Sequence, residues 1–270
     1  MILLDGKKTS NDIKDEIAVS VNEIKKRGEK VHHLAAVLVG NDGASLTYVG
    51  SKVRACERVG FNSTLIELPE TTPEERLLKT INDLNNNNEI DGFIVQLPLQ
   101  KHINEEKVLL AINPNKDVDG FHPENFGKMA LEMDSFIPAT PFGILQLLER
   151  YQVETKGKHT VVIGRSHIVG RPMSILMSQK GPAANSTVTL THSHTKNLSQ
   201  ITKQADIIIV ALGIPEYLKA DMVKDNVVII DVGITRVPDE SKPKGLLLKG
   251  MLHLMRLVKN HLSLRQFRGG

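Results

Sequence analysis

The chain has 270 residues, 40% hydrophobic and 24% charged, with a net charge of +3; that is a globular composition, long enough for one large domain or two ordinary ones. Its 34 Lys and Arg are scattered among 31 Asp and Glu, so no concentrated footprint for nucleic acid forms. The single cysteine, Cys56, excludes a disulfide within the chain and leaves too few soft ligands for a four-ligand structural zinc site. No apolar run approaches the ~18 residues of a membrane helix, and residues 1–8 lack the apolar core of a signal peptide, so neither membrane nor export is expected and the reading is cytoplasmic.

In chain order, residues 8–27 read as an amphipathic helix ending in Lys25-Lys26-Arg27, cations that complement a helix C-terminus. Residues 33–40 (HLAAVLVG) read as a buried strand, 45–59 as a helix and 62–67 as a strand. Cys56 falls in that helix as a small buried apolar residue. Thr72-Pro73-Glu74-Glu75 has the signature of a capped helix start. Residues 91–96 (DGFIVQ) make a third strand. Strands separated by helices imply right-handed crossovers and a parallel sheet.

After Gly120 the pattern pauses, and Thr140-Pro141 opens a helix to about Tyr151. A second series follows: strand 160–163, helix 169–179, strand 186–191, helix 198–204, then strands 206–210 and 227–231. The expectation is an α/β fold of two domains, 1–139 and 140–250, the second Rossmann-like, with a ligand cleft between them. No internal repeat at a fixed period is found.

Four segments carry candidate chemistry. Tyr48 and Lys52 are four apart and share a helix face. An aromatic ring beside an ammonium can stack on a flat ligand and move a proton, although a lysine acts as a base only where burial or a nearby cation lowers its pKa. The same spacing also describes an ordinary solvated helix face. Gln96, before Leu97-Pro98, ends its strand at the sheet edge where ligands bind in open α/β folds, or simply caps that strand. Lys116-Asp117-Val118-Asp119-Gly120 is a turn whose two acids are suited to a metal or to the donor edge of an amino-pterin; no other ligand cluster nearby supports a metal.

The fourth segment runs from strand 161–163 into Gly164-Arg165-Ser166-His167-Ile168-Val169-Gly170 and then a helix, where dinucleotide phosphates meet helix N–H groups. It is not a full G-x-G-x-x-G, because Ser166 stands at the second glycine. Arg165, and the absence of an acid in Leu190-Thr191-His192-Ser193-His194, favour the 2′-phosphate of NADP over the free ribose hydroxyls of NAD.

In this order, residues 45–52 (S-x-x-Y-x-x-x-K), 95–99 (VQLPL), 116–120 (KDVDG), 137–141 (IPATP), 164–172 (GRSHIVGRP), His192-Ser193 and 230–234 (IDVGI) resemble the bifunctional methylenetetrahydrofolate dehydrogenase/cyclohydrolase family of bacterial type. The resemblance covers about residues 1–250. It implies hydride transfer from the methylene carbon to NADP, then attack of water on the methenyl product to give 10-formyltetrahydrofolate. It further implies that Lys52 is the catalytic acid/base, Gln96 hydrogen-bonds and tunes it, and Tyr48 stacks on the folate ring. Asp119 would hold the pterin, and Ser45 would stand with Tyr48 and Asp119 on the substrate side. Gly164, Arg165, Ser166, Ser193 and Ile234 would line the NADP site. A homodimer through the cofactor domain is implied as well.

The sequence leaves the family pattern after Gly250. The family continues through a GDV segment to P-V-P-G-G-V-G-P; here residues 251–270 read MLHLMRLVKNHLSLRQFRGG. Shifted by one base, codons for this tail permit DVAFDEVSKKSSLITPVPGG, with the single codons of Met251 and Met255 as the tightest constraints. A one-base loss after Lys249 is therefore expected, together with a poorly packed or locally helical tail and reduced activity. Three rivals are considered. A short-chain dehydrogenase also uses Tyr-x-x-x-Lys, but its glycine-rich loop precedes the Tyr, whereas here Gly164 follows Tyr48. A monofunctional NAD-dependent folate dehydrogenase is countered by Arg165. The third is a non-catalytic binder of NADP or folate, which would bind ligand without turnover.

Overall fold

A computed structural model describes residues 2–41 and 43–232, together with the backbone of three later strands. By Cα packing the chain divides into a first unit, Ser10–Ala139, and a second unit, Met1–Thr9 with Thr140–Gly270. The first nine residues thus group with the later segment, whereas the sequence reading placed them in the 1–139 domain. The physical reason is Leu4, fully buried in a cluster with Ile144, Leu147, Leu148, Val162, Met173, Ile207 and Ile230. The Asp5 amide also donates to the Tyr151 hydroxyl at 2.9 Å.

The elements in order are β1 (Ile2–Leu4), α1 (Gly6–Lys26), β2 (His33–Val39), α2 (Gly43–Val59), β3 (Asn62–Leu68), α3 (Glu74–Asn85), β4 (Gly92–Val95), α4 (Glu105–Ala111), α5 (Pro123–Ala130) and α6 (Ala139–Arg150). Then come β5 (His159–Ile163), α7 (Gly170–Ser178), β6 (Thr187–Thr191), α8 (Leu198–Thr202), β7 (Ile207–Val210), β8 (Val228–Asp231), β9 (Thr235–Pro238), β10 (Leu246–Lys249) and β11 (Arg265–Arg268). Among the described residues no helix is long and apolar enough to cross a membrane.

The first unit holds a parallel sheet in the order β3-β2-β4. One face (Ala35, Val37, Val39, Phe93, Val95) packs on Leu77, Ile81, Leu84 and Val108 of α3 and α4. The other (Ala36, Leu38, Ile94) packs on Val49 and Val53 of α2 and on Val118. Strands covered on both faces read as continuous apolar runs, which is why β2 and β4 are plain in the sequence. The second unit holds a six-stranded sheet, β1-β11-β8-β7-β5-β6, whose β5-β6 and β5-β7 pairs are parallel.

Several boundaries differ from expectation. Helix α3 starts at Glu74 with Pro73 in the cap position and no side-chain cap; Thr72 is buried, and its carbonyl is bonded to the His102 ring. Thr140 lies inside α6 rather than capping it. Helices α4 and α5 fall where the periodicity was too short to read. The expectation for residues 251–270 is a poorly packed or only locally helical tail, whereas the backbone of 265–268 pairs in parallel with both β1 and β8. Main-chain pairing is offered by every non-proline residue, so an extended segment of any such composition can occupy that slot.

Candidate active site

Helix α2 buries Ser45, Val49, Cys56 and Val59, a stripe at helical spacing. Lys52 falls on the margin of that stripe, so its ammonium emerges beside the core rather than into open solvent. Tyr48, one turn before it, is 55% exposed and free to present its ring to a ligand. Cys56 is 5% exposed and its thiol is pushed up by burial, with the charge of Glu57 adding to the effect. That is the environment of a packing residue, not a nucleophile.

Opposite Lys52 stands Asp119, with Nζ to Oδ1 at 3.6 Å, an ion pair rather than a hydrogen bond. Every residue of the Lys116–Gly120 turn has a job in placing it. The Lys116 ammonium donates to the carbonyls of Leu84 (3.0 Å) and Asn87 (2.7 Å). Asp117 forms a parallel bridge to Phe93 and is 2% exposed. Val118 packs with Val49 and Val53 of α2, and a Cβ at Gly92 would overlap its Cγ1. Gly120 has φ +68°, and a Cβ there would lie 2.8 Å from the Ile137 carbonyl carbon, so no side chain fits. Burial pushes the Asp119 carboxyl up; Lys52 pulls it down, the charge of Asp117 pushes it up, and the net shift is upward. Such an acid holds its proton more readily than a surface aspartate.

Gln96 follows β4 at the carboxyl edge of the sheet, its amide donating to the Val37 carbonyl at 2.9 Å. The expected hydrogen bond between Gln96 and Lys52 is not formed. The side-chain NH2 donates instead to the Leu97 carbonyl at 2.7 Å, and its buried Oε1 has no hydrogen-bond partner among the described residues, while Lys52 faces the opposite charge of Asp119. A buried acceptor left open costs free energy unless a donor arrives, so Oε1 is poised for a ligand N–H or for the lysine itself. Asp117 and Asp119 do not form a metal cage: among the described residues no group of three or more His, Cys, Asp or Glu is arranged to hold an ion.

In the second unit, β5 runs into Gly164, whose φ is +115° and whose added Cβ would overlap the Ala211 carbonyl. A Cβ at Gly170 would overlap the Gly164 carbonyl and lie 2.9 Å from Arg165 Cα. These glycines permit the tight strand–loop–helix turn at which a dinucleotide backbone can approach. Ser166 Oγ accepts from the amides of Val169 (3.2 Å) and Gly170 (3.3 Å), so it caps α7 rather than standing open. Arg165 is exposed on this loop, and Ser193 is exposed on the turn after β6. Gly164 N donates to the Thr191 carbonyl at 3.0 Å, which sets the two segments side by side with no acid among residues 164–170 or 191–197. Ile234 lies outside the described residues.

Sequence reasoning missed Asn125. It sits on the buried face of α5 with Met129 four residues on, and a polar residue at an apolar-stripe position was the available signal.

Residues 4–119 match the tetrahydrofolate dehydrogenase/cyclohydrolase catalytic domain, and residues 138–251 match the NAD(P)-binding domain of the same family. The chain is 69% identical over 270 residues to the bifunctional protein FolD of Flavobacterium psychrophilum, covering all of this chain and 92% of that one. The bifunctional FolD dehydrogenase/cyclohydrolase of Campylobacter jejuni superposes with a TM-score of 0.90 at 42% identity, covering 98% of this chain and 90% of that one. A Trypanosoma brucei methylenetetrahydrofolate dehydrogenase-cyclohydrolase, solved with NADP and an inhibitor, gives 0.92 at 30% identity over 100% and 91%.

Proposed function

The chain belongs to the tetrahydrofolate dehydrogenase/cyclohydrolase family, and we propose that Lys52, Tyr48, Gln96 and Asp119 carry its catalysis while Gly164, Arg165, Ser166 and Ser193 hold its cofactor. Its activity is the NADP-dependent oxidation of 5,10-methylenetetrahydrofolate to the methenyl compound, which it then hydrolyses to 10-formyltetrahydrofolate. NADP, when bound, supplies the hydride acceptor; the remaining work is done by side chains of this chain.

The observation that carries the assignment is the ion pair of Lys52 with a half-buried Asp119, 3.6 Å apart, one helical turn from an exposed Tyr48. Tyr48 stacks on the pterin and orients it. Asp119 receives the donor edge of the pterin and holds Lys52 in place. In the hydrolytic step Lys52 leaves Asp119 and releases its proton to solvent, and the neutral amine then takes a proton from the attacking water while donating a hydrogen bond to Gln96 Oε1. Arg165 and Ser193 take the 2′-phosphate, the charge-assisted contact being the stronger of the two. Ser45 supports this face of α2 from beneath, being 5% exposed. Ile234 completes the cofactor list on family resemblance alone. The reading extends to a cytoplasmic homodimer, which light scattering and cell fractionation check.

The deciding experiment follows NADP reduction by absorbance with 5,10-methylenetetrahydrofolate, comparing the chain with its Lys52→Met variant. Both activities are expected to fall by about 10²–10⁴ with NADP binding retained. Turnover that survives the substitution would overturn the assignment of Lys52. A second reading, that this chain turns over poorly, is favoured by its departure from the family pattern after Gly250, close to residue 251 where the NAD(P)-binding match stops. Restoring one base after Lys249 should then raise activity; equal rates for both forms would dismiss the frameshift as a functional lesion.

A further inference from the structure

The turn bearing Asp119 is anchored by a buried polar pair that plays no part in the chemistry above. Asn125, 3% exposed, donates its side-chain NH2 to the Pro114 carbonyl (2.9 Å) and to Asp117 Oδ2 (3.0 Å). The same Oδ2 accepts the His122 amide at 2.8 Å. One carboxylate oxygen therefore ties the start of the turn to the segment that follows Gly120 and leads into α5, and Asn125 ties both back to the 114–116 turn that precedes it. Between these fixed ends the chain has two residues, Val118 and Asp119, before Gly120 lodges against residues 136–138. Val118 goes down into the core with Val49 and Val53. Val118 and Asp119 are the central residues of a turn closed by the Gly120 amide on the Asp117 carbonyl (3.1 Å), and beside Val118 that turn presents Asp119 to Lys52 on the same helix.

We infer that Asp117 and Asn125 are positioning residues for the reaction: together they fix the turn that sets Asp119 at ion-pair distance from Lys52. This rests on the catalytic assignment of Lys52 and Asp119. Neither residue need touch substrate, because both are buried and already engaged with protein groups. Buried networks of this kind hold geometry only when every member is satisfied, and misplacing a catalytic group by about 1 Å costs on the order of a hundredfold in rate. The pair also acts at a distance, since the charge of Asp117 is one of the influences that push Asp119 upward. The other charged groups of the turn are otherwise engaged: Lys52 faces Asp119, Lys116 is held by the Leu84 and Asn87 carbonyls, and the His122 ring accepts from the Glu124 amide.

The test compares the full chain with Asn125→Ala, Asp117→Asn and Asp119→Asn, measuring kcat and KM for 5,10-methylenetetrahydrofolate from about pH 5 to 9, with melting temperature and NADP affinity as folding controls. For Asn125→Ala, kcat should fall by about a hundredfold while NADP affinity holds. For Asp117→Asn, removing the charge takes away one upward push on Asp119, so the pH limb that disappears in Asp119→Asn should move to lower pH. Should Asn125→Ala and Asp117→Asn keep native kcat and an unmoved limb while Asp119→Asn is inactive, the positioning role is wrong. Should Asp119→Asn itself retain full activity, the catalytic assignment beneath it fails instead. A loss of kcat that tracks melting temperature, with the limb unmoved, marks a purely structural role and also overturns the inference.

Discussion

At their amino-terminal edges the two sheets are tied by the same set of residues; at their carboxyl edges they share backbone geometry but not side chains. In the first unit His33 opens the central strand. Its amide donates to Asp91 Oδ2 (2.8 Å), its ring meets Thr64 Oγ1 (2.8 Å), and Lys30 donates to Asp91 Oδ1 (3.0 Å). In the second unit His159 opens β5, flanked by β6 and β7, in the same way, with Asp206 Oδ2 (2.8 Å), Thr189 Oγ1 (2.9 Å) and Lys224 on Asp206 Oδ1 (2.7 Å). The registers agree as well, His33 facing Asn62 and His159 facing Thr187. No repeat at a fixed period shows in the sequence, because the equivalent histidines, threonines and aspartates are separated by loops and helices of different length.

At the other edge the chemistry diverges. The residue after β4 is Gln96 and the residue after β7 is Ala211; each amide caps the neighbouring strand, β2 or β5, on Val37 and Ile163 respectively. Gln96 brings a buried, open acceptor to the edge, whereas Ala211 brings only its carbonyl, against which Gly164 is folded. After these strands, one edge presents a polar side chain where the other presents backbone. The scaffold is common and the function lies in what tops it.

Substitution at the paired glycines breaks the comparison most severely. Gly40 follows β2 and Gly164 follows β5, both at positive φ, +80° and +115°. A Cβ at Gly164 would overlap the Ala211 backbone, whereas at Gly40 it would lie 2.6 Å from Gln100 Nε2, the far end of a flexible side chain. Gly164→Ala should abolish measurable NADP binding and destabilise by about 2–5 kcal/mol from strain and overpacking. Gly40→Ala should cost only about 1–2 kcal/mol and leave NADP affinity alone. Calorimetric melts and NADP titration read both, and equal losses would show that the two edges are built alike after all.

Next in size is Gln96→Ala. It should lower kcat by about ten- to a hundredfold, the worth of a charge-assisted hydrogen bond, with little change in melting temperature. A fall in stability at unchanged kcat would return Gln96 to a strand cap. Arg165→Ser should raise the Kd for NADP by about tenfold or more while that for NAD stays level, as isothermal titration would show. Equal weakening of both cofactors would place Arg165 away from the 2′-phosphate.

The smallest effect belongs to the shared edge. Burial pushes the Asp91 and Asp206 carboxyls up, but hydrogen bonds from Lys30 or Lys224 and from the His33 or His159 amide outweigh it, so both sit below the usual range. A carboxyl lowered by folding contributes its stability in full above its unfolded value, about 3.9, and loses it as pH falls through the folded value. Asp91→Asn and Asp206→Asn should therefore each lower the melting temperature by a few degrees at pH 7, and the deficit should shrink below about pH 4. A deficit in one unit but not the other would deny that the two clamps are equivalent.

Much of this was legible in the residues. Strands β2, β4, β5, β7 and β8 announce themselves as buried apolar runs, and Gly164 and Gly170 mark a strand–loop–helix turn. What was not legible depends on contacts distant in sequence. Helix α5 has a proline at its first position and a Glu in its first turn, but its buried face holds only Asn125 and Met129, too little for a period. The ion pair of Lys52 with Asp119 spans 67 positions and depends on Val118 fitting over Gly92, a steric match that no local pattern reports. The bond foreseen between Gln96 and Lys52 lost to a nearer opposite charge.

The grouping of Met1–Thr9 with Thr140–Gly270 has a consequence for the order in which the chain can assemble on the ribosome. Residues 10–139 contain every strand of their own sheet and can close it as they emerge. Leu4 is made first, yet most of its partners, from Ile144 to Ile230, are made last, so the beginning of the chain must wait for its end. A tag or truncation at the amino terminus should therefore be felt in the NADP-binding unit, not in the catalytic unit it directly precedes.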